Sequence, residues 1–147
     1  MPILAYSLND INRVAELSEK ARRIGEKFWP GPLTLILPRK RPSDIVTFSL
    51  TTIGVRIPNH KVALKLVRLS GGLLVGTSAN KTGAQPPSTA AEAYEQLNGK
   101  VDMILDGGMV ELGVSSTILD LTCERPEVLR KGPVNLEDIM ESFEKSV

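Results

Sequence analysis

The sequence predicts an α/β domain built on a twisted, open, mixed sheet with helices packed against it. Short apolar runs of strand length alternate along the chain with segments whose apolar residues recur at helical spacing. Capping residues and glycine- or proline-rich turns separate these segments. Two strand-like segments near the end of the chain indicate a hairpin, and its antiparallel pairing makes the sheet a mixed one.

Length and composition indicate one globular domain over residues 1–147. The chain has 41% hydrophobic and 24% charged residues, and its 12 glycines and 10 prolines exclude collagen-like or low-complexity chains. The formal net charge of +1 gives no long-range field typical of a nucleic-acid or membrane-surface binder. No apolar run approaches the length of a membrane span, and no signal pattern opens the chain. We therefore expect a cytoplasmic protein without membrane contact.

The sequence of the first 40 residues predicts a strand, two helices and a second strand, in that order. Residues 1–6 predict the first strand, and Ser7 caps a helix with one apolar face. That face comprises Leu8, Ile11, Val14, Ala15 and Leu17. A second helix begins near Ser18 and ends at the proline-rich turn 29–32. The apolar run 33–37 is typical of a central strand that is covered on both faces.

The middle of the chain predicts extended stretches at 45–50 and 53–57, then a helix over 60–70 capped by Asn59. The side chains expected to face inward on this helix are Val62, Ala63, Leu66, Val67 and Leu69. A buried strand is predicted at 73–75.

The last part begins with a capping box at Thr89, which starts a helix that Gly99 closes. Residues 101–105 predict a further strand, and 116–121 with 127–130 predict the hairpin. Asn135 caps a final helix that extends to about residue 143.

Arg56 is the first candidate for chemistry, because it interrupts an otherwise apolar strand. Strand alternation places it on the face opposite to Val55 and Ile57. A guanidinium there matches a carboxylate or a phosphate with two hydrogen bonds. The alternative is an ordinary arginine that faces solvent.

Three other loops carry polar groups beside predicted strands. The loop 76–83 follows a buried strand, so backbone donors, Ser78 and Asn80 could converge on an anion, although small residues there also suit a simple turn. The segment 115–117 and Arg130 lie at opposite ends of the predicted hairpin strands. The rigid turn 30–34 could lie flat against a ring, or only stop the helix before it.

Familiar catalytic sets do not fit this chain. His60 is the single histidine and is interpreted as a surface or capping residue, and Cys123 has no histidine near it in sequence. One cysteine and one histidine cannot form a zinc site of the usual kind. We therefore predict no catalytic side chain and no protein metal site, but a site of hydroxyls, amides and arginines that acts by positioning and electrostatic stabilisation.

Four segments in this order resemble the YrdC-like family of L-threonylcarbamoyladenylate synthases: 28–34 (FWPGPLT), 54–58 (GVRIP), 77–83 (TSANKTG) and 116–120 (STILD). The resemblance implies a YrdC-like fold and an enzyme that joins L-threonine, bicarbonate and ATP into threonylcarbamoyl-AMP and pyrophosphate, with Mg²⁺ on the phosphates. It implies a role in tRNA threonylcarbamoyladenosine modification and contact with tRNA or double-stranded RNA.

The same resemblance assigns site residues by position. The implied contacts of L-threonine are Arg56, Thr77 and Ser116. The implied contacts of ATP are Thr52, Ser78, Asn80 and Arg130.

The resemblance also implies an N-terminal segment, with a Lys-x-Arg pair, before the strand at 3–6. This chain has neither, so we expect an N-terminally incomplete domain of impaired activity, which a longer reading frame or a partner polypeptide would complete. Exposed sheet edges would favour self-association into a homo-oligomer.

Two alternatives stay open. One is a non-catalytic module that binds double-stranded RNA or nucleotides through a basic surface of Arg39, Lys40, Arg41, Lys61, Lys65 and Arg68. The other is a domain of a larger carbamoyl-transfer enzyme.

Overall fold

The computed structural model describes residues 1–40, 51–110 and 114–144, with the backbone alone described for the last three. The extended stretch predicted at 45–50 lies outside the described residues. The chain divides into two compact units, residues 1–76 with 115–147 and residues 77–114, which we call unit 1 and unit 2. The single domain over 1–147 stays a prediction.

The described residues of unit 1 form one six-stranded mixed sheet, which confirms the predicted fold class. Its strands are β1 (Ile3–Ala5), β2 (Leu33–Pro38), β3 (Thr52–Arg56), β4 (Leu73–Val75), β5 (Thr117–Asp120) and β6 (Glu127–Arg130). They lie in the order β4-β1-β3-β2-β5-β6. Strand β2 pairs antiparallel with β3 and parallel with β5, so it is central as predicted. The hairpin of β5 and β6 is also confirmed, with a register irregularity between Ile118 and Leu119.

Strand β4 corrects one prediction. The sequence indicated a buried strand at 73–75, but β4 is an edge strand that pairs only with β1 in the described part of the chain. Val75 is 44% exposed. An apolar run of strand length does not distinguish a central strand from an edge strand, because that depends on which neighbours the chain supplies.

The described residues form five helices, and local capping chemistry explains where most of them begin. They are α1 (Leu8–Ile11), α2 (Glu19–Phe28), α3 (Lys61–Leu69) and α5 (Leu136–Glu144) in unit 1, and α4 (Ala90–Leu97) in unit 2. The hydroxyls of Ser7, Ser18 and Thr89 each accept a hydrogen bond from the backbone amide three residues later. The caps at Ser7 and Thr89 were predicted, and Ser18 lies where the second helix was predicted to begin. None of the described helices is long and apolar enough to cross a bilayer.

The first helix is shorter than its apolar pattern predicts. It ends at Ile11, and Val14 and Glu16, which follow it, form backbone hydrogen bonds with the end of β2 and the residues just after that strand. The amide of Glu16 donates to the carbonyl of Pro38, and the amide of Lys40 donates to the carbonyl of Val14. These backbone bonds to a distant segment replace helical ones while Val14 stays buried.

The third helix corrects two predictions. His60 caps it in place of Asn59, with Nδ1 accepting from the amide of Ala63 at 3.4 Å, which agrees with the capping role considered for this histidine. Of the five side chains expected to face inward, Val67 is buried, whereas Leu69 is 76% exposed. Val62 and Leu66 are exposed as well.

The strand predicted at 101–105 is wrong, since these residues form no strand within unit 2. Val101, Met103 and Leu105 alternate as in a strand, but all three are exposed. Such a run becomes a strand only where an edge offers backbone partners.

The hydrophobic core of unit 1 lies on one face of the sheet. Leu35 and Val55 are paired across β2 and β3 and are fully buried. The helices contribute Ile11, Ile24 and Ile139 to the same cluster. The opposite face therefore carries the alternate residues of the central strands.

The cap of α2 gives a stability prediction. In the structure the Ala21 amide donates to Ser18 Oγ at 3.2 Å. We expect Ser18→Ala to lower the free energy of unfolding by about 1 kcal/mol, because the Ala21 amide loses this acceptor. Urea denaturation measures the change. Ser18→Asp, which keeps an acceptor, serves as the control and should retain most of the stability; equal losses in both variants would contradict a capping role.

Candidate functional site

Strand alternation brings the polar groups of unit 1 to the sheet face opposite the core. Leu35 lies across from Val55, which fixes their neighbours Thr34 and Arg56 on the other face. Ile118 of β5 pairs with Thr34 and also with Arg130 of β6. Arg56 therefore lies opposite to Val55, as predicted.

Ser116 lies at the centre of this group, immediately before β5, and is only 6% exposed. Its hydroxyl oxygen is 2.9 Å from Thr34 Oγ1 and 3.1 Å from Arg130 Nη2. Arg130 Nε also donates to the Ser116 carbonyl oxygen at 2.9 Å. One guanidinium thus holds both the main chain and the side chain of Ser116.

Arg56 is the second cation of the site and is half-buried. Its Nε donates to the Gly31 carbonyl oxygen at 2.9 Å. Burial, and then the nearby charge of Arg130, lower the pKa of Arg56 below its ordinary value. Neither arginine has a carboxylate partner among the described residues. Two guanidinium groups, which stay charged at neutral pH, therefore favour an anion at this position.

The turn before β2 does more than stop a helix. The Gly31 amide donates to the Ile57 carbonyl at 3.0 Å, and the Thr117 amide donates to the Pro32 carbonyl at 2.9 Å. The Trp29 indole donates to the Leu33 carbonyl at 2.7 Å. These bonds fix the turn between β3 and β5, so the Gly31 carbonyl is held where Arg56 reaches it.

The residues after β6 fasten the other side of the site, and sequence reasoning missed them. Thr117 Oγ1 donates to the Val134 carbonyl at 3.0 Å and accepts from the Val134 amide at 3.1 Å. A Cβ on Gly132 would lie 2.6 Å from the Ser115 carbonyl oxygen and would also meet the backbone of Thr117. Only a glycine lets the chain at residue 132 lie this close to the backbone of residues 115–117. In the sequence, the glycine two residues after Arg130 is the one feature that could have indicated this contact.

In unit 2, the loop predicted to bind phosphate is shaped by Asn80. Its Nδ2 donates to the carbonyls of Lys81 and Ala84 at 2.9 and 3.0 Å. The Lys81 amide donates to Gln96 of α4 at 3.1 Å, which ties the loop to the helix. Asn80 Oδ1 is buried without a partner among the described residues. Because both amide protons are used within the loop, the group that Asn80 offers a ligand is an acceptor.

The structure thus distributes the predicted site residues in three places. It brings Arg56, Ser116 and Arg130 together in unit 1. Thr52 lies at the other end of β3, roughly 13 Å along the strand from Arg56. The remaining predicted contacts share one loop of unit 2 and comprise Thr77, Ser78 and Asn80.

Other chemistry finds little support in the described residues. They contain no group of three histidine, cysteine, aspartate or glutamate side chains placed to hold a metal ion. Cys123 is exposed in the turn between β5 and β6.

Comparisons with known proteins bear on this arrangement. The Sua5/YciO/YrdC family model, described as telomere recombination, matches residues 1–132. The threonylcarbamoyl-AMP synthase of Pyrococcus abyssi is 42% identical over 125 residues, which cover 84% of this chain and 37% of that protein. The enzyme of the same name from Bacillus subtilis is 38% identical over 144 residues, which cover 94% of this chain and 41% of that protein.

A solved structure of P. abyssi Sua5 complexed with L-threonine is 39% identical and superposes with a TM-score of 0.89. The match covers 96% of this chain and 42% of that one. The chain therefore spans about two fifths of the length of these relatives. Both the family model and the shared fold confirm the resemblance predicted from the four motifs, and the chain belongs to the Sua5/YciO/YrdC family.

Proposed function

We propose that this chain is the threonine-binding part of a threonylcarbamoyl-AMP synthase and that it contributes to the ATP site. The observation that carries the proposal is the pair of arginines, Arg56 and Arg130, beside the hydroxyl of Ser116 on one sheet face. The relative solved with L-threonine supports it, because that protein shares the fold at 39% identity.

L-Threonine would be bound through its carboxylate and its hydroxyl. Arg56 faces the site with Nε held by the Gly31 carbonyl, so its terminal nitrogens remain to donate to a carboxylate. Ser116 offers a hydroxyl that Arg130 already polarises by donating to it. Thr77 of unit 2 is the third proposed contact.

The proposed reaction needs no covalent intermediate on the protein. The threonine amine takes up bicarbonate with release of water, and the resulting carbamate oxygen attacks the α-phosphorus of ATP. The bond from that phosphorus to the bridging oxygen breaks, and pyrophosphate leaves. The side chains hold the substrates in line and stabilise developing negative charge, which matches a site of arginines, hydroxyls and amides.

The proposed ATP contacts are Thr52, Ser78, Asn80 and Arg130. The Asn80 acceptor suits a donor such as a ribose hydroxyl better than a phosphate oxygen, since its own amide protons are used within the loop. Mg²⁺ would be held by the phosphate oxygens of ATP, in keeping with its preference for oxygen ligands, with no protein cluster of three ligands among the described residues.

The biological setting follows from the same proposal. Threonylcarbamoyl-AMP would serve the modification of tRNA in the cytoplasm, with tRNA or double-stranded RNA as a further partner. A homo-oligomer completes the proposed set of partners. The non-catalytic RNA-binding module is not favoured, because the relatives at about 40% identity are named as synthases.

The function is tested by incubating the chain with ATP, bicarbonate, Mg²⁺ and L-threonine and measuring pyrophosphate and threonylcarbamoyl-AMP. We expect both products to appear only when threonine is present. The same assay is run with the chain fused to the N-terminal region of the Bacillus subtilis relative, because the family resemblance assigns a Lys-x-Arg pair to that region. Release of pyrophosphate without threonine, or no product from the fusion, would overturn the proposal.

A further inference from the structure

Thr34 is a buried polar residue that the proposed function has not used. It lies within the apolar strand β2, is 3% exposed, and belongs to the sheet face that carries the site. Its Oγ1 lies 2.9 Å from Ser116 Oγ, across 82 residues of sequence. Its methyl group lies over Gly54, where an added Cβ would be 3.6 Å away. Because a buried hydroxyl needs a hydrogen-bond partner, and Ser116 is the partner here, we infer that the role of Thr34 is its hydrogen bond to Ser116.

The donors and acceptors around Ser116 define what Thr34 does there. A guanidinium can only donate, so Ser116 Oγ accepts from Arg130 Nη2 at 3.1 Å. Thr34 provides the second contact of the same oxygen, as donor or as acceptor. With both contacts in place, the Ser116 hydroxyl is held in one rotamer of the three open to serine.

The position of Arg130 depends on the same oxygen. Its Nε is fixed by the Ser116 carbonyl at 2.9 Å, while its Nη2 is fixed by the Ser116 hydroxyl. These two hydrogen bonds to Ser116 together set the plane of the Arg130 guanidinium. If only the hydrogen bond from Nε remained, the guanidinium plane could turn about that hydrogen bond. A change in the Ser116 rotamer would therefore break the hydrogen bond that holds the Nη2 end of Arg130. That end matters to the site because the charge of Arg130 lies close enough to Arg56 to lower the pKa of Arg56.

We propose that Thr34 is a positioning residue: its buried hydroxyl fixes the rotamer of Ser116 and, through Ser116, the guanidinium of Arg130. This inference rests on the proposed function, and it names a residue that acts on the site without touching the substrate. The hydroxyl carries the effect, while the methyl group contributes packing over Gly54.

The test compares Thr34→Val, which keeps the shape and removes the hydroxyl, with Thr34→Ser, which keeps the hydroxyl and removes the methyl. Calorimetric titration with L-threonine gives the dissociation constant. We expect Thr34→Val to weaken binding about fivefold to tenfold, the size of one lost hydrogen bond, and Thr34→Ser to restore affinity close to that of the unmodified chain. Thermal unfolding of each variant records any loss of packing.

A second readout needs no ligand. The ¹⁵N signal of the Arg130 Nη2 group, which donates to the Ser116 hydroxyl, reports how firmly the charged end of the guanidinium is held, and we expect its hydrogen exchange to become faster in Thr34→Val but not in Thr34→Ser. In a Ser116→Ala background, Thr34→Val should cause no further change, because the link through the serine hydroxyl is already lost.

The outcomes separate this inference from the proposed function. Unchanged Arg130 exchange in Thr34→Val overturns the positioning role, and so does an equal loss of threonine affinity in Thr34→Val and Thr34→Ser, which would show a packing role. Failure of the unmodified chain to bind L-threonine counts against the proposed function, whereas the Arg130 signal still decides whether Thr34 acts through Ser116.

Discussion

Arg56→Met is expected to weaken L-threonine binding by about 100-fold, as measured by calorimetric titration. The guanidinium is half-buried beside Arg130, and no carboxylate among the described residues neutralises either group. A ligand carboxylate would supply the missing negative charge and gain two hydrogen bonds at once. Arg56→Lys should also bind poorly, because an ammonium group cannot both hold the Gly31 carbonyl and form a fork with a carboxylate.

Arg56→Met is expected to change the stability of the protein far less than it changes threonine binding. Removing Arg56 takes away a desolvated charge close to a second cation, and this relief offsets the lost hydrogen bond to Gly31. We therefore expect the free energy of unfolding to fall by no more than about 1 kcal/mol. Arg125→Met, at an exposed arginine in the turn of the hairpin, is the matched control and should bind threonine normally. Equal affinity of the Arg56 and Arg125 variants would remove the basis of the proposed site.

Gly132→Ala is expected to lower the free energy of unfolding by about 2 kcal/mol and to impair threonine binding as well. The added methyl group would lie 2.6 Å from the Ser115 carbonyl oxygen and 2.7 Å from the carbonyl carbon of Ser116. These are main-chain atoms at the start of β5, so they cannot yield by a side-chain rotation. Either the segment after β6 or the backbone of Ser116 must therefore move. Because Arg130 forms hydrogen bonds with the carbonyl and the hydroxyl oxygen of Ser116, a shift of Ser116 would also displace Arg130.

Gly54→Ala is the control for this prediction. It makes the same substitution in β3, but its closest neighbour is the end of the flexible Ile36 side chain at 3.2 Å. We expect a change of less than about 1 kcal/mol in urea denaturation. If Gly132→Ala were as stable as Gly54→Ala and bound threonine equally well, the close backbone approach would not be required for the site.

Local sequence patterns predicted much of the fold because they depend on neighbours within a few residues. Caps at Ser7 and Thr89 follow from a hydroxyl that reaches an amide three residues later. The alternation around Arg56 follows from the two-residue period of a strand, so its position opposite the core was predictable before any pairing was known.

The errors occurred where pairing with distant segments decides the structure. Residues 101–105 have the composition of a strand but form none within unit 2. The first helix ends early because the chain after it forms backbone hydrogen bonds with the end of β2 and the residues just after it. In both places the local pattern is compatible with two states, and backbone partners far away in sequence select one of them.

The sequence by itself therefore determined the class of fold, the family and the candidate residues, because all three reside in local patterns and in ordered motifs. Only the tertiary structure decided which candidates share a site. Parallel pairing of β2 with β5 places Thr34 beside Ser116, and the hairpin returns Arg130 to the same point. The distance between Thr34 and Ser116 depends on pairing between segments 82 residues apart, and neither segment alone specifies its partner.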